Sequence, residues 1–141
     1  SKAMKRIFTL TISFLLASVF LTSCVRETIY DNDESYWLSK EMGEVVYSDP
    51  YCNYYVVETY NGYNIVRAYG SYKPYEGSIV YGNFSAPGTR DFYNRSSGVI
   101  YSGTVTDYWM SYVDAQYALD YYCPVGKGAT REFKKAVSLK K

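Results

Sequence analysis

The chain contains no histidine, and that absence removes more functions than any residue present supplies. Imidazole is the side chain whose ordinary titration lies nearest neutral pH, and it is the commonest nitrogen ligand of protein-bound metals. Without it the Ser–His and Cys–His nucleophilic pairs cannot be built. A Gly-rich phosphate loop, a Gly-x-Ser-x-Gly elbow and paired metal-ligand motifs are missing as well. Only three cysteines occur, Cys24, Cys52 and Cys123, too scattered for a thiolate cluster. The sequence therefore calls for no metal and no cofactor. Carboxylates remain as acid and base, as in glycosidases. Glu58 and Glu76 are the candidates, but each stands alone, and they form no catalytic constellation.

Excess charge of one sign is lacking too, since 15 Lys/Arg stand against 14 Asp/Glu. The balance is uneven along the chain. Residues 24–126 carry 6 basic against 13 acidic residues, and residues 127–141 carry 6 against 1. An acidic body disfavours nucleic-acid binding. The basic tail, 127–141, reads as a solvated and mobile C-terminus, helical at most marginally.

What the chain has in plenty is tyrosine, 19 residues of it, all from Tyr30 onward. Tyrosine favours strands and can bury its ring while its hydroxyl stays in water. That composition points to β structure and to recognition, and names no ligand.

The one long apolar run is N-terminal. Ser1-Lys2-Ala3 read as a scar ahead of the start Met4, and Met4-Lys5-Arg6 supplies two charges. The stretch Ile7 to Leu21 is apolar except for four hydroxyl residues. As a helix it would span only about 22 Å, short of the hydrocarbon thickness, which fits a signal peptide better than a membrane span. The end of this run, Leu21-Thr22-Ser23-Cys24, resembles the lipobox of bacterial lipoproteins. The resemblance implies a signal peptide over 1–23, cleavage before Cys24, and a diacylglycerol on its thiol. Multiple acyl chains hold a soluble domain to a bilayer where one would be marginal. Val25 replaces the aspartate that retains many lipoproteins in the inner membrane. The acids at 27, 31, 33 and 34 resemble the start of some surface-exposed ones. The expected place is the cell envelope, outer membrane, on the periplasmic or outer side. Residues 24–35 then form a polar tether, and the body runs over 36–126.

With Cys24 committed to lipid, Cys52 and Cys123 remain as an even pair in an oxidising compartment. A disulfide between them would close a long loop, worth about 4 to 5 kcal/mol by chain entropy.

Within the body, Asn61-Gly62 separates two strand-like runs, Tyr54–Tyr60 and Tyr63–Tyr69, and fits a type I′ hairpin. That register sets Tyr60 opposite Tyr63, Val57 opposite Val66 and Tyr55 opposite Ala68. Tyr55, Val57, Val66 and Ala68 then face the core. Tyr54, Tyr60, Tyr63, Arg67 and Tyr69, with Glu58, make the other face. Short strands follow at 78–81, 89–94 and 99–105 between glycine and proline turns. The number and spacing predict a mainly β domain, a small antiparallel barrel (SH3-like or OB-like) or a sandwich. Ser111-Tyr112-Val113-Asp114 resembles a capping box, and Cys123-Pro124 stops a helix predicted over 112–122. Val113, Tyr117 and Tyr121 recur every fourth residue, with Ala118 and Tyr122 beside them, which predicts an amphipathic helix. Tyr36-Trp37-Leu38-Ser39 is echoed by Tyr108-Trp109-Met110-Ser111, read as an aromatic strand end, a serine cap, and a tryptophan packed in the core.

The expected function is a membrane-anchored binding or interaction module for a protein or glycan partner, using Tyr54, Tyr60, Tyr63, Arg67 and Tyr69. The alternatives are a small envelope hydrolase working through carboxylates and a structural subunit of an envelope complex. The lipobox carries its own test. In a bacterial host the chain should partition into detergent, and Cys24→Ala should abolish both partitioning and cleavage. Equal partitioning by the variant would refute lipidation.

Overall fold

Apolar residues come in adjacent pairs in the first half of the body: Val45-Val46, Val56-Val57 and Ile65-Val66. In a strand, neighbours point to opposite faces, so such pairs demand cover on both sides. The computed structural model describes residues 31–125 and 131–139 and provides that cover. A short helix α1 (Asp31–Leu38) leads into strands β1 (Glu41–Tyr47), β2 (Tyr54–Thr59), β3 (Gly62–Ala68), β4 (Ile79–Gly82), β5 (Gly88–Asn94) and β6 (Val99–Met110), and helix α2 (Tyr112–Tyr122) follows. The strands close a barrel in the order β1-β2-β3-β6-β5-β4, every pair antiparallel. The body is thus mainly β, a small closed barrel with one C-terminal helix. Signal, Cys24 and the tether as far as residue 30 lie outside the described residues. Among the described residues no helix is long and apolar enough to cross a membrane.

Two cores result. Inside the barrel lie Val45, Tyr55, Val57, Val66, Val80, Phe84, Phe92, Tyr101 and Val105. Room is made by Gly103, where a Cβ would come within 2.8 Å of Val66 and 3.2 Å of the Tyr55 hydroxyl. Burial pushes the ionisation of Tyr55 and Tyr101 far above the ordinary phenolic range. Outside β1–β3, a second core joins Val46, Val56, Tyr63 and Ile65 to Ala115 and Leu119 of α2 and to Phe133 of the tail. One core would have been too small for so many rings, and the second takes several of them.

The hairpin forms, but two residues out of the expected register. Glu58 faces Tyr63, Val57 faces Asn64 and Tyr55 faces Val66. The loop is Tyr60-Asn61, neither with positive φ, so the turn is not type I′. The positive φ falls instead on Gly62, at 131°, where a Cβ would lie 2.7 Å from the Met110 carbonyl oxygen. A two-residue slip preserves side-chain parity, which is why Tyr55, Val57, Val66 and Ala68 are still buried.

Helix α2 occupies the expected residues. Ser111 caps it by accepting the Asp114 N–H at 3.1 Å, and the Cys123 N–H closes on Leu119 O at 2.8 Å. Its packing face differs in part from the expected one, since only Ala118 and Tyr122 of the expected residues pack against the second core. Ala115 and Leu119 are buried, whereas Val113, Tyr117 and Tyr121 are 53%, 71% and 81% exposed. Small Ala115 lets the helix approach the sheet more closely than the large stripe would. Cys123 at its end is bonded to Cys52, with S–S 2.01 Å.

Both terminal expectations need correction. Helix α1 begins inside the segment read as tether, 24–35. The tail is docked rather than solvated. Phe133 is buried against Tyr63 and Tyr112, and Arg131 donates to Leu119 O and stacks over Tyr47. Its backbone also answers a charge problem. Glu44 and Glu58 are cross-strand neighbours, both buried, an arrangement that like charges disfavour. The Ala136 N–H donates to Glu58 at 2.6 Å and the Ser138 N–H to Glu44 at 3.0 Å. The side chain of Lys134 stays in solvent, while the Lys135 ammonium lies 5.5 Å over the Tyr112 ring. Phe133→Ala should therefore cost about 3 kcal/mol, and Lys134→Ala less than about 0.5 kcal/mol. Urea midpoints of the two variants distinguish a docked tail from a solvated one.

Candidate functional site

The strand order gathers distant segments at one end of the barrel. The starts of β1, β3 and β5 and the ends of β2, β4 and β6 meet there, so Glu41, Asn61, the loop 83–87 and Trp109 become neighbours.

The anchor is Asn64, fully buried where β3 bulges against β6. Its amide nitrogen donates to Val57 O at 3.0 Å and Gly62 O at 3.2 Å, and its amide oxygen accepts the Trp109 N–H at 3.0 Å. Trp109 sits at φ 56°, the single non-glycine residue with positive φ among those described. For a bulky residue that conformation costs about 1–2 kcal/mol. The strain sets the indole outward, 56% exposed. Its Nε1–H donates to Ser85 Oγ at 2.8 Å, and the Ser85 hydroxyl donates to Glu41, 2.9 Å from Oε1. Glu41 also accepts the Phe84 N–H at 3.0 Å and the Asn61 amide at 2.8 Å. The indole is thereby held by the fold itself. Tyr108 adds a ring edge-on to it, 5.9 Å between centroids and 41% exposed.

The loop carrying Ser85 is shaped by Arg90, whose guanidinium donates to the carbonyls of Asn83, Ala86 and Pro87 at 2.7–2.9 Å. Beyond the loop lies a cleft of about 330 Å³ lined by Tyr36, Trp37, Lys40, Asn83, Arg90 and Asp91. Here Tyr36 and Trp37 form a second edge-on pair at 5.3 Å, and Trp37 stacks on Tyr93 at 6.3 Å. Burial raises the Tyr93 ionisation, with Glu34 adding to it. The two sequence echoes thus flank one loop. Trp109 does not fit its core assignment, being mostly exposed, whereas Trp37 is half-buried against Tyr93, although Tyr36-Trp37 ends a helix rather than a strand.

The expected aromatic face is divided. Tyr54 stacks on Tyr122 of α2 at 4.3 Å, and Tyr63 is buried between Tyr112 and Phe133. Tyr60 and Tyr69 are exposed at opposite ends of the hairpin, and Arg67 is exposed between them. Of the five, Tyr60 and Tyr63 lie at the Trp109 end, and only Tyr60 is exposed there. No family model, curated protein or solved structure matches this chain.

The carboxylates near the rim are engaged in internal hydrogen bonds. Both Glu41 oxygens are taken, Asp91 accepts from Ser102 at 2.7 Å, and Glu44 and Glu58 lie under the tail. Glu76 is exposed and distant in the β3–β4 loop. Among the described residues no group of three His, Cys, Asp or Glu side chains could hold a metal ion. Sequence reasoning missed Glu41, Asn64 and Ser85, whose partners lie 20 or more residues away. If Asn64 sets the strained rim, Asn64→Ala should lose about 2–3 kcal/mol by stranding buried backbone groups. Trp109→Gly should be neutral or stabilising by up to about 1 kcal/mol. Thermal melts of the two variants measure both.

Proposed function

We propose that this chain is a lipid-anchored envelope protein whose barrel is a binding module, with the aromatic rim around Trp109 as its contact surface. The lipobox-like Leu21-Thr22-Ser23-Cys24 supports the anchor, and the Cys52–Cys123 disulfide is consistent with an oxidising compartment. Outer-membrane attachment, on the periplasmic or outer side, follows from Val25 and the acids after it.

One observation carries the binding reading. A tryptophan is held in solvent in a strained conformation by a buried amide and a hydrogen-bonded serine. An indole left more than half exposed in a strained conformation contributes little to folding, and such strain clusters where proteins clamp ligands. Rigid rings offer contact area at low entropic cost, to a protein or to a sugar.

The test is a pull-down from envelope extracts with the full chain against a Tyr108→Ala/Trp109→Ala variant. Partners retained by the wild type should be lost by the variant, while Tyr117→Ala, on the exposed side of α2, should keep them. Retention of every partner by the double variant would remove the rim from the proposal.

A further inference from the structure

We infer that the rim takes a neutral oligosaccharide, an inference that rests on the rim being the binding surface. Its apolar area is split. Tyr108–Trp109 lies on one side of the loop 83–87 and Tyr36–Trp37 on the other, with Asn83 and Ser85 on the loop between them. A protein hot spot needs a contiguous apolar centre ringed by polar groups, and this surface has the polar groups in the middle. Pyranose units joined in a chain present the matching alternation, flat C–H faces interleaved with hydroxyls.

The polar groups left over are also those that hydroxyls use. Asn61 gives its amide N–H to Glu41, and its amide oxygen has no partner among the described residues. Asn83 accepts the Ser85 N–H through its oxygen, which leaves its amide hydrogens to donate. Ser85 Oγ accepts from Trp109 and donates to Glu41, and retains one lone pair. A hydroxyl can meet each of these as donor or acceptor.

The rim's charges balance, so no net field draws an acidic ligand to it. Arg90 is engaged by three loop carbonyls, and the Lys40 ammonium lies 4.7 Å over the Tyr36 ring. Glu41 and Asp91 stand nearby and balance these two cations, so a carboxylate or phosphate would meet two acids as well as two cations. Two ring pairs on either side of a loop favour a chain of sugars over a single one.

The chain has two tryptophans, Trp37 and Trp109, one on each side of the loop, so its indole N–H resonances report both platforms directly. The full chain, in a detergent without a sugar headgroup, is titrated with neutral β-linked glucose, mannose and N-acetylglucosamine oligomers. Their monosaccharides, an oligogalacturonate and a peptide digest of envelope proteins are the comparison ligands. At least one neutral oligomer should shift both indole signals, and its monosaccharide should bind weaker by about tenfold or more, having lost one of the two ring contacts. Trp109→Ala should weaken the oligomer by about tenfold, and Tyr117→Ala, on the exposed side of α2, should leave it unchanged. Tighter binding of the oligogalacturonate would overturn the inference. If peptides shift the Trp109 signal and no sugar does, the inference fails while the rim stays a binding surface. If nothing shifts either indole, both fall. Each of these outcomes is read from the wild-type protein, so a poorly folding variant does not blunt the test.

Discussion

Strands β1, β2 and β3 are apolar on both faces, and the rest of the molecule answers that constraint. A barrel wall ordinarily turns one face to water, but here Val46, Val56, Tyr63 and Ile65 point outward and are buried. Something outside the barrel must cover them. Helix α2 leaves β6 at the rim end and runs along the sheet until Cys123 joins Cys52 beyond the end of β1. The tail then crosses the remaining gap, with Phe133 filling the apolar part and the 136–138 amides meeting Glu44 and Glu58. The acids, the disulfide and the basic tail are thus three parts of one device. It covers a wall that would otherwise be exposed apolar area carrying two adjacent charges.

The same constraint sorts the tyrosines. Tyr54, Tyr63, Tyr112 and Tyr122 are drawn under the cover, where stacked or edge-on rings pack with hydroxyls at the margin. Tyr55 and Tyr101 fill the barrel itself. Those at the ends and on the outer side of α2 have no such role, and composition alone does not separate the two groups.

Legibility in the sequence follows locality. Helix α2 is readable to the residue because its boundary signals, Ser111 and Cys123-Pro124, act within one turn. Its packing face is not, because Val113, Tyr117, Tyr121 and the buried Ala115, Leu119 make equally regular stripes, and the sheet takes the one with less bulk. Asn61-Gly62 marks the hairpin but not its register, which is set by the close approach of Gly62 to Met110 on another strand. Strand β1 is unreadable for a related reason. Its central Glu44 looks like a loop residue until the tail, 94 positions later, supplies its partner. The barrel as a class is legible and its closure is not, since β1 is one of the strands that closes it. Of the site, residue pattern points only to Tyr60, because Glu41, Ser85 and Asn64 acquire meaning only through contacts made by the fold.

The strained tryptophan is where fold and site meet. Asn64 must be buried with its amide satisfied, and the β3–β6 pairing bulges to admit it. Satisfying its oxygen with the Trp109 N–H forces β6 to turn out of the ladder one residue before its end. A glycine at 109 would meet that backbone demand with less strain. The chain places there instead its largest aromatic side chain, and then commits Ser85, Glu41 and Arg90 to holding the indole and the loop beneath it. The barrel gains a register pin from Asn64. The indole stays more than half exposed and so adds little to either core. The cost of φ 56° at tryptophan is therefore explained by what the ring does in solvent, not by what the backbone does in the sheet.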